Sequence, residues 1–460
     1  MRRLATAMLS IVLASCAMGP DYERPTVPVQ QTWRMAVQEG ESIANMPWWE
    51  LLSDDELHTL IRIALEENKD LQRAVANVEE FEARLSIART DFAPQISVDA
   101  NAPAFGRLKG ARIPGFPTPF SYSGQGHLSW ELDFWGRVRR ENEAARADLL
   151  AQEENRRAVV LQLVAGVAQA YFDLRQLDMQ LDITRRTLQS WEESVRISRA
   201  RLRQGLTPKL DADQFEAERA NAVARAAELE RQMVQKENEL SVLLGSNPIK
   251  IPRGRALTEQ VMPPAVPAGL PSELLQRRPD VLQSEQQLAA ATARIGVAKA
   301  QRFPQITLTG LLGVASPQLS TLGGSDYAVA GLGLAGPLLN AQTLGFQQEA
   351  AEAQARQALA HYQQTILVAF KEVEDALVAV RTARQQIEAQ ETQVAALRSA
   401  LHLADLRYKG GVSNYLDVLI AQRNLFDAEL SLAATRRLHL VSVVQLYKAL
   451  GGGWSTTSLP

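Results

Sequence analysis

Two stretches of this chain, 136–204 and 340–409, contain no proline and almost no glycine. Proline removes a helix hydrogen bond and glycine weakens a helix, so little interrupts one over either stretch. At about 1.5 Å rise per residue, ~65 residues extend roughly 100 Å. The average helix of a compact domain is only about 11 residues, so neither stretch fits an ordinary globular core. Each predicts a continuous rod that spans something.

The rods belong to an internal repeat. Ala93-Pro94-Gln95-Ile96 recurs 210 residues later as Phe303-Pro304-Gln305-Ile306. RLRQGLTPKLD (Arg201 to Asp211) recurs 206 residues later as RYKGGVSNYLD (Arg407 to Asp417). The first repeat, 54–245, reads as a helix of about Glu56–Asp91, a strand pair at about 94–133, the rod, and a helix of about Lys209–Leu244. Ser53 or Asp54 is its N-cap. A linker at 246–271 carries Pro248, Pro252, Pro263, Pro264, Pro267 and Pro271. The second repeat, 272–450, reads as a helix of about Ser272–Arg302, a strand pair at about 304–337, the rod, and a last helix. Gly451 to Gly453 open a short tail at 451–460.

Along the first rod, Leu174, Leu177, Leu181, Leu188, Trp191, Val195 and Leu202 recur in steps of three and four, with Thr184 and Ser198 in the gaps. The counterparts 206 residues on are Val380, Ala383, Ile387, Val394, Leu397, Leu401 and Tyr408, with Gln390 and Ala404 in the gaps. Both rods carry a heptad seam in one register, which a coiled coil or a helical-bundle core would equally produce. The equal breaks favour two matched antiparallel hairpins.

The strand regions change period. Ile96, Val98, Ala100 and Ala102 alternate with Gln95, Ser97, Asp99 and Asn101. Tyr122, Leu128, Trp130 and Leu132 stand against Ser123, Gln125, His127, Ser129 and Glu131. A period of two gives one apolar and one polar face, as in a soluble meander or a membrane barrel. The fourth strand is rich in glycine and alanine and alternates poorly. Strands of about 9–11 residues suit a tilted crossing of ~25–30 Å of hydrocarbon. Tyr122, Trp130, Tyr327 and Phe120 are candidates for an interfacial belt. Four strands cannot close a barrel, and lipid does not tolerate open strand edges. A membrane sheet of this kind must therefore be shared among copies related by rotation, with two, three or four copies open.

The N-terminus carries an address. Arg2 and Arg3 precede an apolar run, Leu4–Ser15, that ends in Leu13-Ala14-Ser15-Cys16. Residues 1–15 read as a signal peptide of lipoprotein type, with Cys16 the lipid acceptor. The alternative is an ordinary signal peptide with a chance cysteine. Cys16 is the only cysteine, so no internal disulfide forms. Ala17 after it resembles the outer-membrane signal of bacterial lipoproteins. Residues 16–53, with Pro20, Pro25, Pro28 and Pro47, read as an extended lipid-anchored tether.

The motifs GPDYERP (Gly19 to Pro25), RRPDVLQSEQQLAAA (Arg277 to Ala291), FPQI (Phe303 to Ile306), YKGGVSNYLDVLIAQRNLF (Tyr408 to Phe426) and YKALGGGW (Tyr447 to Trp454) span nearly the whole mature chain. Together they resemble the TolC-like outer-membrane efflux protein family, in its lipoprotein branch serving resistance-nodulation-division pumps. The resemblance implies a mixed α+β membrane protein. It would be a homotrimer with a twelve-stranded β-barrel, four strands per chain, continuing into a twelve-helix periplasmic α-barrel with an equatorial domain. It implies outer-membrane lipid around the barrel and docking of a periplasmic adaptor that joins the channel to an inner-membrane pump. The cofactor-like group implied is covalent: a diacylglycerol thioether and an N-acyl chain on Cys16. Gly205, Leu206, Thr207, Gly410, Gly411, Val412 and Ser413 become the adaptor-facing tips. Leu416, Asp417, Ile420, Arg423 and Asp211 become the periplasmic aperture. Many relatives place an aspartate where this chain has Ile420, so the carboxylate ring expected there departs from the pattern. Asp417 also suits a helix N-terminus on the macrodipole alone.

No catalytic chemistry is legible. His58, His127, His361, His402 and His439 are scattered without metal-ligand spacing, and the methionines do not cluster. A net charge of −3 on 460 residues argues against nucleic-acid binding. The leading expectation is a passive efflux duct for drugs and toxic amphiphiles. A duct for type I protein secretion and a lipid-anchored coiled-coil scaffold without a pore remain the alternatives.

Overall fold

The computed structural model describes residues 17–30, 32–34, 54–102, 122–260, 271–316, 318–324, 326–337, 341–413 and 415–452. The signal peptide, Cys16 and Phe120 lie outside the described residues. In chain order the elements are α1 (Asp55–Glu67), α2 (Lys69–Thr90), β1 (Gln95–Asn101), β2 (Tyr122–Leu132), α3 (Arg137–Arg203) and α4 (Lys209–Leu243). The second repeat follows with α5 (Pro271–Arg277), α6 (Pro279–Ala300), β3 (Gln305–Ser316), β4 (Asp326–Ala335), α7 (Ala341–Lys409) and α8 (Tyr415–Ala449). The rods α3 and α7 run unbroken for 67 and 69 residues.

The chain divides into two compact units: 1–27, 76–154 and 283–364 form one, and 28–75, 155–282 and 365–460 the other. The division does not follow the repeat boundary. Each repeat gives a strand pair to the first unit and a helical hairpin to the second, so both units mix the two halves.

In the first unit, β1-β2-β3-β4 form one antiparallel sheet. The register pairs Ile96 with Leu128, Trp130 with Leu308, Leu312 with Ala328, and Leu308 with Leu332 on one face. Ser97, Asp99, Gln125, His127, Thr307 and Thr309 share the other. β4 alternates poorly, as expected: Ala328, Ala330, Leu332 and Leu334 share the apolar face with Asp326, while Val329 stands with Gly331 and Gly333 on the polar one. Tyr122 and Trp130 lie on the apolar face as expected of belt residues. Tyr327 does not: its register partner is Gly313, and its hydroxyl donates to Gln125 Oε1 at 2.8 Å on the polar face. Gly313 makes this bond across β3 possible, because a Cβ there would meet Gln125 at 2.8 Å.

The segment after Cys16 is extended and tied down. Met18 N–H donates to the Trp135 carbonyl at 3.0 Å. Buried Arg140 donates to the Met18 carbonyl and pairs with Asp21 at 2.6 Å. Gly19, at φ +92°, crosses Gly296 so closely that a Cβ would stand 2.5 Å from its Cα. Tyr22 and Arg24 converge on Glu285. Trp135 stacks on Phe303 at 4.8 Å and donates to the Pro304 carbonyl at 2.7 Å.

In the second unit, two helices expected to be continuous are broken, at Asn68 and at Arg278 210 residues later. Proline disfavours the helical conformation of the residue before it, which ends α5 at Pro279. Asn68 is extended at ψ 129° and accepts from Leu71 N–H at 2.9 Å, capping α2. Both side chains do a second job. Asn68 donates to the Leu243 carbonyl at 2.8 Å, and Arg278 to the Ala449 carbonyl at 3.1 Å, 206 residues further on. Each break thus satisfies an orphan carbonyl at the end of its repeat's last helix. The larger Arg278 is balanced by Asp280 at 2.6 Å and Glu372 at 2.8 Å. Glu372 stands where the first rod has Gly166.

The linker residues 250–260 pack rather than dangle. Ile251 and Leu257 are buried. Asp54, the N-cap of α1, accepts from Tyr171 at 2.8 Å, Gln260 at 2.7 Å and the Arg255 N–H at 3.2 Å. The rods differ in burial. Leu174, Leu177, Leu181, Trp191 and Val195 of α3 are buried with Thr184 and Ser198, because α3 packs on both α4 and α8. In α7 only Ala383 and Val394 of the matching seam are buried, and Val394 packs on Ala428 and Leu432 of α8. Leu367, Leu403 and Leu406 of α7 stay exposed, as do Val223, Val234 and Val242 of α4. These flanks are apolar surfaces without a partner in the single chain.

Candidate functional site: the helical tips

Both hairpins turn by one device. Gly205 at φ +73° and Gly411 at φ +71° sit just past α3 and α7. Leu206 N–H reaches the Arg201 carbonyl at 2.9 Å while Gly205 N–H reaches Leu202 at 3.0 Å. Val412 and Gly411 repeat the pattern to Arg407 and Tyr408 at 2.9 and 3.1 Å. These are Schellman ends, which need a left-handed residue that glycine supplies at no steric cost. Gly410, next to Gly411, keeps negative φ and closes the last helical turn onto Leu406.

The turns push apolar side chains outward. Leu206 is 68% exposed, Val412 73% and Leu210 63%. Thr207 and Ser413, equivalent in the repeat, turn their hydroxyls inward, where neither finds a partner. Of the residues expected at the aperture, Leu416 and Ile420 are 46% and 48% exposed, and Asp417 and Arg423 are exposed beside them on α8. Leu416, Ile420, Arg423 and Asp427 fall in steps of four, three and four, one helix face. Among the described residues, Asp417 and Arg423 form no ion pair with each other. Asp211 is separate from this face: it is half-buried on α4 and lies close to Tyr415.

Sequence reasoning missed what joins the hairpins. Trp191, Val195, Phe215, Ala222, Tyr415 and Leu419 form one buried cluster from α3, α4 and α8. The Phe215 and Tyr415 ring centroids are 3.9 Å apart, and Trp191 meets Phe215 at 5.9 Å. The Arg201 guanidinium lies 4.5 Å over the Tyr408 ring, and Gln422 donates to Ser190 at 2.6 Å. Burial first, then the carboxylates of Asp211 and Glu218, push the Tyr415 phenol well above its usual range. Its hydroxyl is buried without a partner. The available signal was an aromatic just inside each second helix, at Phe215 and Tyr415.

The two hairpins differ along this face. Where α8 has Ile420, Arg423 and Asp427, α4 has Gln214, Ala217 and Asn221. A groove of about 300 Å³ beside the joint is lined by Trp191, Glu218, Asn221, Arg423, Phe426 and Asp427. Among the described residues no group of acidic, histidine or cysteine side chains is placed to hold a metal ion.

A four-stranded sheet with one lipid-compatible face, borne on chains whose helical hairpins end in matched glycine turns, defines an oligomeric outer-membrane conduit. The outer membrane efflux protein family model matches residues 60–246 and 270–452. The cation efflux system protein CusC of Escherichia coli is 34% identical, covering 98% of this chain and 99% of the relative. The probable efflux pump outer membrane protein TtgC of Pseudomonas putida is 35% identical, over 98% and 95%. The open state of the Neisseria gonorrhoeae MtrE outer membrane channel superposes with a TM-score of 0.85 at 33% identity, over 95% of this chain and 98% of that one. The chain belongs to the outer membrane efflux protein family. It is an outer-membrane efflux channel: three copies close a twelve-stranded barrel that continues into a periplasmic α-barrel.

The joint gives a sharp contrast. Tyr415→Phe removes a hydroxyl that bonds nothing, so thermal stability of the trimer on semi-native gels stays at the wild-type level. Phe215→Ala removes both ring contacts at a cost of about 3–5 kcal/mol and lowers that stability clearly. Equal losses in the two variants would refute this account of the joint.

Proposed function

We propose that this channel passively conducts small molecules delivered by a periplasmic adaptor and an inner-membrane resistance-nodulation-division pump, and catalyses no reaction. The observation that carries the reading is the matched pair of tips, whose exposed Leu206 and Val412 stand on rigid glycine turns. Exposed apolar side chains on a fixed backbone suit helix-tip docking at little entropic cost. CusC is named for cation efflux and TtgC for a probable efflux pump, at nearly equal identity to this chain. That similarity supports substrate choice by the pump rather than the duct. Leu206→Asp combined with Val412→Asp should leave trimer and pore conductance intact and abolish complementation of a drug-hypersensitive strain lacking the channel. Retained complementation would rule out docking through these tips.

The aperture is assigned to Leu416, Asp417, Ile420 and Arg423 of α8, with Asp211 acting on α8 through Tyr415. The exposed stripe on α8 supports this, since three copies would bring three such stripes together. Asp417→Ala with Arg423→Ala should loosen the closed tip and raise single-channel conductance in planar bilayers, while unchanged conductance would remove them from the gate.

Cys16 is assigned as the lipid acceptor, carrying a diacylglycerol thioether and an N-acyl chain. In support, the chain that follows it is held at Met18 and Gly19 beside Trp135, at the base of β2. A chain held there can bring its acyl groups to the membrane surface with the barrel. Cys16→Ser should lose labelled palmitate; label retained in that variant would place the lipid elsewhere.

A further inference from the structure

We propose that the foot of the barrel carries a binding surface for anionic phospholipid headgroups, formed by Arg89, Lys299 and Arg302. The two strand pairs begin alike. α2 ends at Thr90, and Pro94 precedes β1; α6 ends at Ala300, and Pro304 precedes β3. The offset of 210 residues that matches the prolines also matches Ile96 with Ile306, and register puts both on the apolar face of the sheet. The same offset matches Arg89 with Lys299 and Phe92 with Arg302. Whichever side of the sheet Arg89 serves, Lys299 serves too.

Trp130 fixes that side. Its ring belongs to the apolar face, and its indole N–H donates to the Phe92 carbonyl at 3.0 Å. The end of α2 therefore meets the lipid-facing side of the sheet. Tryptophan favours the headgroup level, where its ring lies in apolar surroundings and its N–H in polar ones. Phe92 is exposed below the exposed Ile96 and Val98, so the apolar surface of β1 continues past its first residue. The height agrees. A bilayer is about 40–45 Å thick around a core of ~30 Å, which leaves about 5–8 Å of headgroup on each side. Arg89 and Lys299 each precede their proline by five residues, about 8 Å along a helix. The segment after Cys16 marks the same level, because Gly19 crosses α6 at Gly296, one turn before Lys299. That mark rests on Cys16 being the lipid acceptor.

Arg89, Lys299 and Arg302 are exposed. Among the described residues none of the three forms an ion pair, and Arg302 makes one side-chain hydrogen bond, to the neutral Gln348 at 2.8 Å. Other arginines of this unit already have carboxylates: Arg84 has Glu80, Arg137 has Glu131, Arg139 has Asp133 and Arg294 has Asp148. Asp91, close to Arg89 in sequence, acts on Arg137. The helix macrodipole favours a basic last turn, which suits Arg89 and Lys299. It does not account for Arg302, which lies beyond the end of α6. Unpaired cations beside an apolar surface complement a ligand with a phosphate and a hydrocarbon tail, and arginine binds phosphate through paired N–H groups. β3 is an inner strand, so the foot bearing Lys299 and Arg302 lies away from the edges where copies join.

The test reconstitutes trimers in phosphatidylcholine vesicles containing dibrominated phosphatidylglycerol, with dibrominated phosphatidylcholine as the reference. Bromine quenches the tryptophans it touches, so the ratio of the two quenching curves reports headgroup preference. The wild type should prefer phosphatidylglycerol by at least about tenfold, since each basic residue at an anionic surface contributes several-fold. In 1 M salt, where charge acts over only ~3 Å, the preference should shrink. Arg89→Gln, Lys299→Gln and Arg302→Gln together should bring the two lipids to equal quenching, with trimers on semi-native gels and pore conductance unchanged. Each single substitution should lower the preference several-fold. Arg89→Lys, Lys299→Arg and Arg302→Lys together should keep it. Cys16→Ser should also keep it, which separates headgroup binding from the anchor. Equal quenching in the wild type, a preference retained by the triple glutamine variant, or a preference lost in Cys16→Ser would overturn the assignment.

Discussion

An open strand edge cannot sit in hydrocarbon, because its N–H and C=O groups find no partner there. β1 and β4 each present such an edge, and four strands are too few to meet each other. Everything else follows from that shortfall. The chain must close its sheet on copies of itself, and a closed ring of three makes twelve strands. The same copies offer the apolar flanks of α7 and α4 the partners that one chain lacks. The seam of α7, mostly half-buried where most of the α3 seam is buried, is what a helix at the edge of a protomer should look like.

Duplication supplied the skeleton, and divergence supplied the chemistry. The two hairpins turn on equivalent glycines with equivalent hydrogen bonds. Asn68 and Arg278 cap equivalent carbonyls, Leu243 and Ala449. Yet Arg278 brings a charge where Asn68 brings none, and Glu372 replaces Gly166 to balance it. At the tip, Ile420, Arg423 and Asp427 replace Gln214, Ala217 and Asn221. A fixed backbone with changed side chains gives the two hairpins different faces at equivalent positions.

The motifs behind the family resemblance turn out to be contact points between distant parts of the chain. Tyr22 and Arg24 of GPDYERP bind Glu285 within RRPDVLQSEQQLAAA. Phe303 and Pro304 of FPQI receive Trp135. Arg278 reaches Ala449 of YKALGGGW. The segment after Cys16 reads as an extended tether from its prolines and missing periodicity, which describe only local conformation, while Gly19 against Gly296 and Asp21 on Arg140 are long-range facts. Tyr327 misled for a similar reason. An aromatic in a membrane strand reads as a belt residue, but the register of β3 and β4 turned it to the polar face.

Local rules were enough to read the rods, their glycine ends, the strand alternation, the repeat and the need for several copies, because helix breaking, period and edge satisfaction act within a few residues or on simple counts. Which residues meet was left to tertiary structure. Phe215 on Tyr415, and Asp54 beneath Tyr171 and Gln260, each join side chains from different elements. Such meetings depend on register and on the packing of long helices, and neither is written in the period of any one segment.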